Sequence, residues 1–252
     1  MRACKTRQVC GKTCHIYHNS AKEAVMPIFY WGIAKEDKEL IRAVVSFVER
    51  QMNGAAFLLV TYEVEHWNDD FSPWEAKAVF GEQKFGGKAT DTILWLTQCC
   101  IPEIESADAG YIEPNQMTSR FLVGYSLAGL FSMWAYFESI LFDGVVSCSG
   151  SFWFSGWEIY VTQQIKSFCR KKEQYVYISL GTKEEKTRNR QMATVGENTR
   201  ALYDLLKQKS MPLQTVLEWN TGGHFSEPDI RIAKGIRWIL CSMQQCDCNK
   251  DS

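Results

Sequence analysis

The segment FLVGYSLAGL, residues 121–130, sets Ser126 between Gly124 and Ala128, with Gly129 just beyond. Two settings give such a pattern. In one, the serine is a small polar residue in an ordinary turn. In the other, a buried strand runs straight into a helix through a turn so tight that the residues two positions either side must be small, and the serine is held up as a nucleophile. The flanks fit the second setting, because RFLV reads as a buried strand and LFSMWAYF as a buried helix.

A serine hydroxyl is a poor nucleophile until a base takes its proton, so the chemistry needs one of the four histidines. His15 and His18 flank an expected N-terminal edge strand, and His66 sits in an irregular loop. His224 differs: it lies in NTGGHFSEPD, after the last expected strand and before the last helix, with Gly222 and Gly223 free to turn the loop back. The third member should be a carboxylate that fixes the imidazole tautomer. In YISLGTKEEKTRN a strand ends at Gly181 and two glutamates follow. Glu184 has the expected spacing, Glu185 is the alternative, and KEEK could also be a solvated charged loop. Attack on an ester creates an oxyanion that needs backbone donors. The N–H of Leu127, next to the serine, and that of Ile33, after PIFYW, are the expected pair.

These residues need a scaffold that brings distant loops to one edge. Short apolar runs alternate with helical periods, which predicts an α/β fold: a mostly parallel central sheet flanked by helices on both faces. Strands are expected at 14–18, 27–31, 55–64, 119–125, 144–148, 174–180 and 213–219. Helical faces are expected from Ile41, Val44, Val45, Val48 and Met52, from Leu202, Leu205 and Leu206, and from Ile230, Ala233, Ile236 and Leu240. No repeat or linker interrupts this rhythm, so residues 1–252 read as one domain. Residues 65–89 and 149–157 break the alternation after strands, where open α/β sheets bind ligands. Their aromatics, Trp67, Trp74, Phe152 and Trp153, are expected to line a substrate pocket, or else simply to pack their loops.

Composition excludes some partners. Lysine plus arginine number 28 against 29 acidic residues, a net charge of −1, which offers no field for nucleic acid or an anionic membrane. No apolar run approaches a membrane span, and the polar N-terminus lacks a secretory h-region, so a cytoplasmic protein is expected. The ten cysteines are scattered and expected to be reduced. Cys10, Cys14, His15 and His18, and Cys246 with Cys248, are weak metal patterns without a second half at zinc-ligand spacing.

With GYSLAG, SGSFWF, LGTKEE and GGHF in place, the chain resembles an esterase group of the α/β-hydrolase superfamily that includes enterochelin (siderophore) esterases and esterase D, over most of residues 27–240. The resemblance implies the α/β-hydrolase fold and a triad of Ser126, Glu184 and His224. Family members commonly carry His-Gly at the oxyanion loop, where this chain has Trp31-Gly32. It implies a serine hydrolase acting on a small-molecule carboxylic ester of siderophore or carbohydrate-linked type, with no cofactor and no metal. Acyl transfer by the same triad, and a non-catalytic binding module on the same fold, are the alternatives.

Overall fold

The computed structural model describes residues 4–18, 24–52, 54–79, 81–106, 109–113 and 116–248. Its centre is an eight-stranded sheet. The strands are β1 (Cys4–Val9), β2 (Lys12–His18), β3 (Val25–Ile33), β4 (Leu58–Glu63), β5 (Met117–Tyr125), β6 (Gly144–Cys148), β7 (Gln174–Gly181) and β8 (Leu213–Asn220). Their spatial order is β1-β2-β4-β3-β5-β6-β7-β8. The β1–β2 and β2–β4 pairs are antiparallel, and every other pair is parallel. The parallel strands therefore deliver their following loops to one edge of the sheet.

The central strands read as continuous apolar runs because both faces are covered. Successive side chains alternate. On β3, Ile28 and Tyr30 enter one core, whereas Phe29, Trp31 and Ile33 enter the other. The second core is closed by α1 (Lys38–Met52), through Ile41, Val44 and Val48, and by the C-terminal helix. The first is covered by α2 (Ala89–Trp95, prolonged by a π-turn and Ile101–Ile104), α3 (Leu127–Glu138), α4 (Trp157–Ser167) and α5 (Val195–Lys207). Every residue of α3 from Leu127 to Phe137 is buried, which accounts for its lack of a polar face. The last helix, α6 (Pro228–Cys248), seats Ile232, Ala233, Ile236, Ile239 and Leu240 on the sheet, while Ile230 is only half-buried.

β1 is not among the strands the sequence predicts. It is an edge strand in which only Val9 is buried, so it carries no apolar alternation to read. Cys10 and Gly11, at φ +42° and +85°, turn it into β2.

Candidate active site

β5 ends at Tyr125 and α3 begins at Leu127, leaving Ser126 alone at the turn with φ +59° and ψ −125°. A non-glycine residue at positive φ is strained and is held only by its surroundings. Here they are specific. A Cβ placed on Gly124 would stand 2.0 Å from the Ala128 carbonyl oxygen, so only glycine lets the helix start this close to its strand. The Ser126 N–H donates to the Cys148 carbonyl at 3.1 Å, and the Ser126 carbonyl accepts the N–H of Ser151 at 3.0 Å.

The loops after β7 and β8 reach the same point. The Ser126 Oγ lies 3.0 Å from His224 Nε2, and His224 Nδ1 lies 2.8 Å from Glu184 Oε2. The two loops are stitched together by Thr182 N–H to the Asn220 carbonyl at 2.8 Å and Lys183 N–H to the Gly222 carbonyl at 3.0 Å. Gly222 takes φ +100°, the left-handed turn that aims His224 inward. Tyr125, the residue before the serine, donates its hydroxyl to the His224 carbonyl.

Glu184 is buried, its side chain 4 % exposed, at the start of a 3-10 turn. Its Oε1 accepts from Ser149 Oγ at 2.7 Å, from the Gly181 N–H at 2.7 Å and from Arg231 Nη1 at 2.9 Å. Burial pushes the carboxyl pKa up, but the hydrogen bonds from His224, Ser149 and Gly181 outweigh it and hold the group below the usual glutamate range. Glu184 thus stays a carboxylate facing the imidazole. Glu185 turns away: its Oε2 pairs with Arg200 at 2.7 Å and occupies the space beside Gly196. Ser149, Arg231 and Tyr125 escape sequence reasoning. The one available signal is the arginine set among apolar residues in DIRIAKGI, and a lone arginine on a helix gives no hint of its direction.

The expected oxyanion donors fare differently. Leu127 is the first helical residue, so its N–H has no intrahelical acceptor and sits at the positive end of α3. Ile33 must be corrected. It is the last residue of β3, fully buried, and its carbonyl accepts the Val64 N–H at 3.0 Å. In a parallel ladder the amide of such a residue points to the same neighbour, so the Ile33 N–H faces β4 and not β5, which carries the serine. The following amide, of Ala34, donates to Asp37 Oδ2 at 3.0 Å.

The aromatic wall also needs revision. Phe152 has no exposed surface and stacks on Trp157 with centroids 5.0 Å apart, so it belongs to the core and cannot line an open pocket. Trp153 is buried against Phe85 and Phe154. Trp74 packs on Phe154 and Tyr160 and donates its indole N–H to the Ser155 carbonyl at 2.7 Å. Trp67 is half-buried, its ring edge-on to Phe71, and Phe71 in turn fills the space that a side chain at Gly32 would take. The large apolar group that does flank the site is Phe225, 90 % exposed and 5.0 Å from the His224 ring. A cavity of about 270 Å³ lies elsewhere, between α4 and α5.

Among the described residues, no three histidine, cysteine or acidic side chains converge as metal ligands would. His15 is held between Glu63 at 2.8 Å and Thr6 at 3.1 Å, and His18 stands edge-on to Tyr111. Cys10 faces Cys99 and Cys14 faces Cys100 as free thiols. The side chains of Cys246 and Cys248 lie outside the described ones. No described helix is long and apolar enough to cross a membrane.

No family model matches this sequence, nor does any curated protein. Solved structures do match in shape. The siderophore hydrolase EstA from Aspergillus nidulans is 15 % identical over 95 % of this chain and 94 % of its own, with a TM-score of 0.76. An IroE-like serine hydrolase from Shewanella oneidensis is 14 % identical over 94 % of this chain and 80 % of its own, also at 0.76. The siderophore hydrolase EstB from Aspergillus nidulans is 14 % identical over 92 % and 93 %, at 0.69. Identities this low speak for architecture, and together with the strand order they show that this chain has the α/β-hydrolase fold.

Proposed function

We propose that this protein is a carboxylic ester hydrolase that works through an acyl-enzyme on Ser126. The observation that carries the reading is the unbroken line of hydrogen bonds from Ser126 through His224 to Glu184. Ser126 Oγ attacks the ester carbonyl carbon while His224 Nε2 takes the hydroxyl proton. Glu184 holds the Nδ1 proton and stabilises the imidazolium, and the Leu127 N–H at the head of α3 donates to the tetrahedral oxyanion. His224 then returns the proton to the departing alkoxide oxygen, which leaves as the alcohol. In the second half, His224 takes a proton from water, the resulting hydroxide attacks the acyl carbon, and collapse returns that proton to Ser126 Oγ with release of the acid.

The substrate in this reading is a small-molecule ester of siderophore or carbohydrate-linked type. Support comes from fold neighbours that are themselves named siderophore hydrolases, and from the exposed Phe225 ring beside His224, a surface for an aryl acyl group or a sugar face. Both helix layers and the sheet draw on the whole described chain, which supports treating residues 1–252 as one domain. The test is hydrolysis of a panel holding an aryl acetate, a feruloyl ester, an acetylated sugar and a catecholate trilactone. Turnover by the wild type and none by folded Ser126→Ala is expected. Turnover unchanged in Ser126→Ala would overturn the reading.

A further inference from the structure

We propose that Arg231 is a positioning residue of this triad, its guanidinium holding Glu184 and the His224 loop in register for proton transfer at Ser126. This role rests on the hydrolase reading and names a part that reading does not require. An arginine buried to 1 % exposure on a helix that otherwise packs isoleucine and alanine against the sheet is costly, and with its Nε left without a partner the cost is offset through its two terminal nitrogens. Its partners are the site. Nη1 donates to Glu184 Oε1 at 2.9 Å, Ser149 Oγ at 2.9 Å and Tyr125 OH at 3.3 Å. Nη2 donates to the carbonyls of Gly223 at 3.0 Å and Thr221 at 3.3 Å.

One planar group therefore touches the strand end before the nucleophile, the loop after β6, the acid loop and the histidine loop. Arg231 and Ser149 together engage Glu184 Oε1, which leaves Oε2 for His224 Nδ1. The two carbonyls flank the turn that presents His224, so the same fork fixes both ends of the Glu184–His224 hydrogen bond. Lysine would keep the charge but not the fork, and could serve one side only. Were Arg231 merely a strut of the fold, its replacement would lower stability and leave the turnover of folded molecules alone.

The measurement is kcat and KM on p-nitrophenyl acetate, with the rate of fluorophosphonate labelling of Ser126, for wild type, Arg231→Lys, Arg231→Met, Ser149→Ala, Glu184→Gln and the Arg231→Met/Glu184→Gln double variant. Circular dichroism checks that each is folded. Arg231→Met should lose about 10²-fold in kcat and labelling rate with KM little changed, since a small misplacement of catalytic groups costs that much. Arg231→Lys should fall between, and Ser149→Ala should lose less in the same direction. The double variant should be slower than Glu184→Gln by clearly less than the factor Arg231→Met costs alone, because part of the arginine's effect runs through the carboxylate and only its hold on the His224 loop remains to be lost. Should Arg231→Met not fold, Arg231→Lys and Ser149→Ala decide between the two roles. Wild-type rates in both of those, or a full multiplicative loss in the double variant, overturn the proposal while the hydrolase reading stands. No labelling of folded wild type overturns the hydrolase reading, and the role of Arg231 with it.

Discussion

Glu184 and Glu185 are neighbours in sequence with opposite surroundings, and the difference makes a sharp prediction. Glu184 faces His224 from a buried pocket of donors, whereas Glu185 pairs with Arg200 near the surface. Glu184→Gln keeps the shape but offers the imidazole the wrong partner, so esterase activity should fall by about 10²–10⁴-fold. Glu185→Gln should stay within about threefold of wild type, as expected for a solvent-exposed ion pair. Kinetics of the two variants on one ester check this directly. The same carboxylate links stability to pH. Because its pKa is lower folded than unfolded, its contribution is fully present above the ordinary glutamate value of about 4.3 and is lost as pH falls through the lower folded value. Urea midpoints for wild type and Glu184→Gln should therefore differ most near neutrality and converge as pH falls below about 4; a constant gap would contradict the assignment.

At the scale of elements, the turn from β5 to α3 is the feature most dependent on small residues. Gly124→Ala would drive a methyl into the Ala128 carbonyl, so the helix must move away from its strand, carrying Ser126 with it. Loss of fluorophosphonate labelling together with a lowered melting temperature is expected, and a wild-type labelling rate would show that the turn is laxer than its geometry implies. This turn is legible in the sequence because its steric demand falls on residue types close together in the chain. So are β3 and the second half of β5, from Phe121, where two buried faces leave an apolar run. β1 is not, since an exposed edge strand need not bury side chains. The direction of the Ile33 amide is hidden for a related reason: which neighbour a strand-end amide faces depends on register, and register is a pairing property invisible in one segment. Phe152 shows the same limit. Its sequence position correctly puts it in the loop after β6, but only the stacking on Trp157 shows that it faces the core.

For the whole molecule, the parallel strands separate the site from a second polar cluster nearer the other end of the sheet. There Glu105 accepts two hydrogen bonds from Arg120, both at 2.7 Å, and one from Tyr30 OH at 2.8 Å. Arg120 precedes Ser126 by about 20 Å of strand. Glu105→Ala leaves that guanidinium unpaired and should cost roughly 3 kcal/mol of stability, read as a lower urea midpoint, with the labelling rate of folded protein unchanged. A changed rate with unaltered stability would mean the two ends of the sheet are not independent. The order serine, acid, histidine and the single edge on which they meet are both readable from strand spacing. The ester itself is not, because the surfaces that would choose it are loop side chains whose directions depend on packing.

The central claim is that Ser126 is an activated nucleophile served by His224. It is tested most directly by intact-mass analysis after fluorophosphonate treatment of wild type, Ser126→Ala and His224→Ala, each shown to be folded. A single adduct on the wild type, absent from Ser126→Ala and slowed at least about 10³-fold in His224→Ala, is the result predicted. No adduct on wild type, or an adduct that persists in Ser126→Ala, would contradict it.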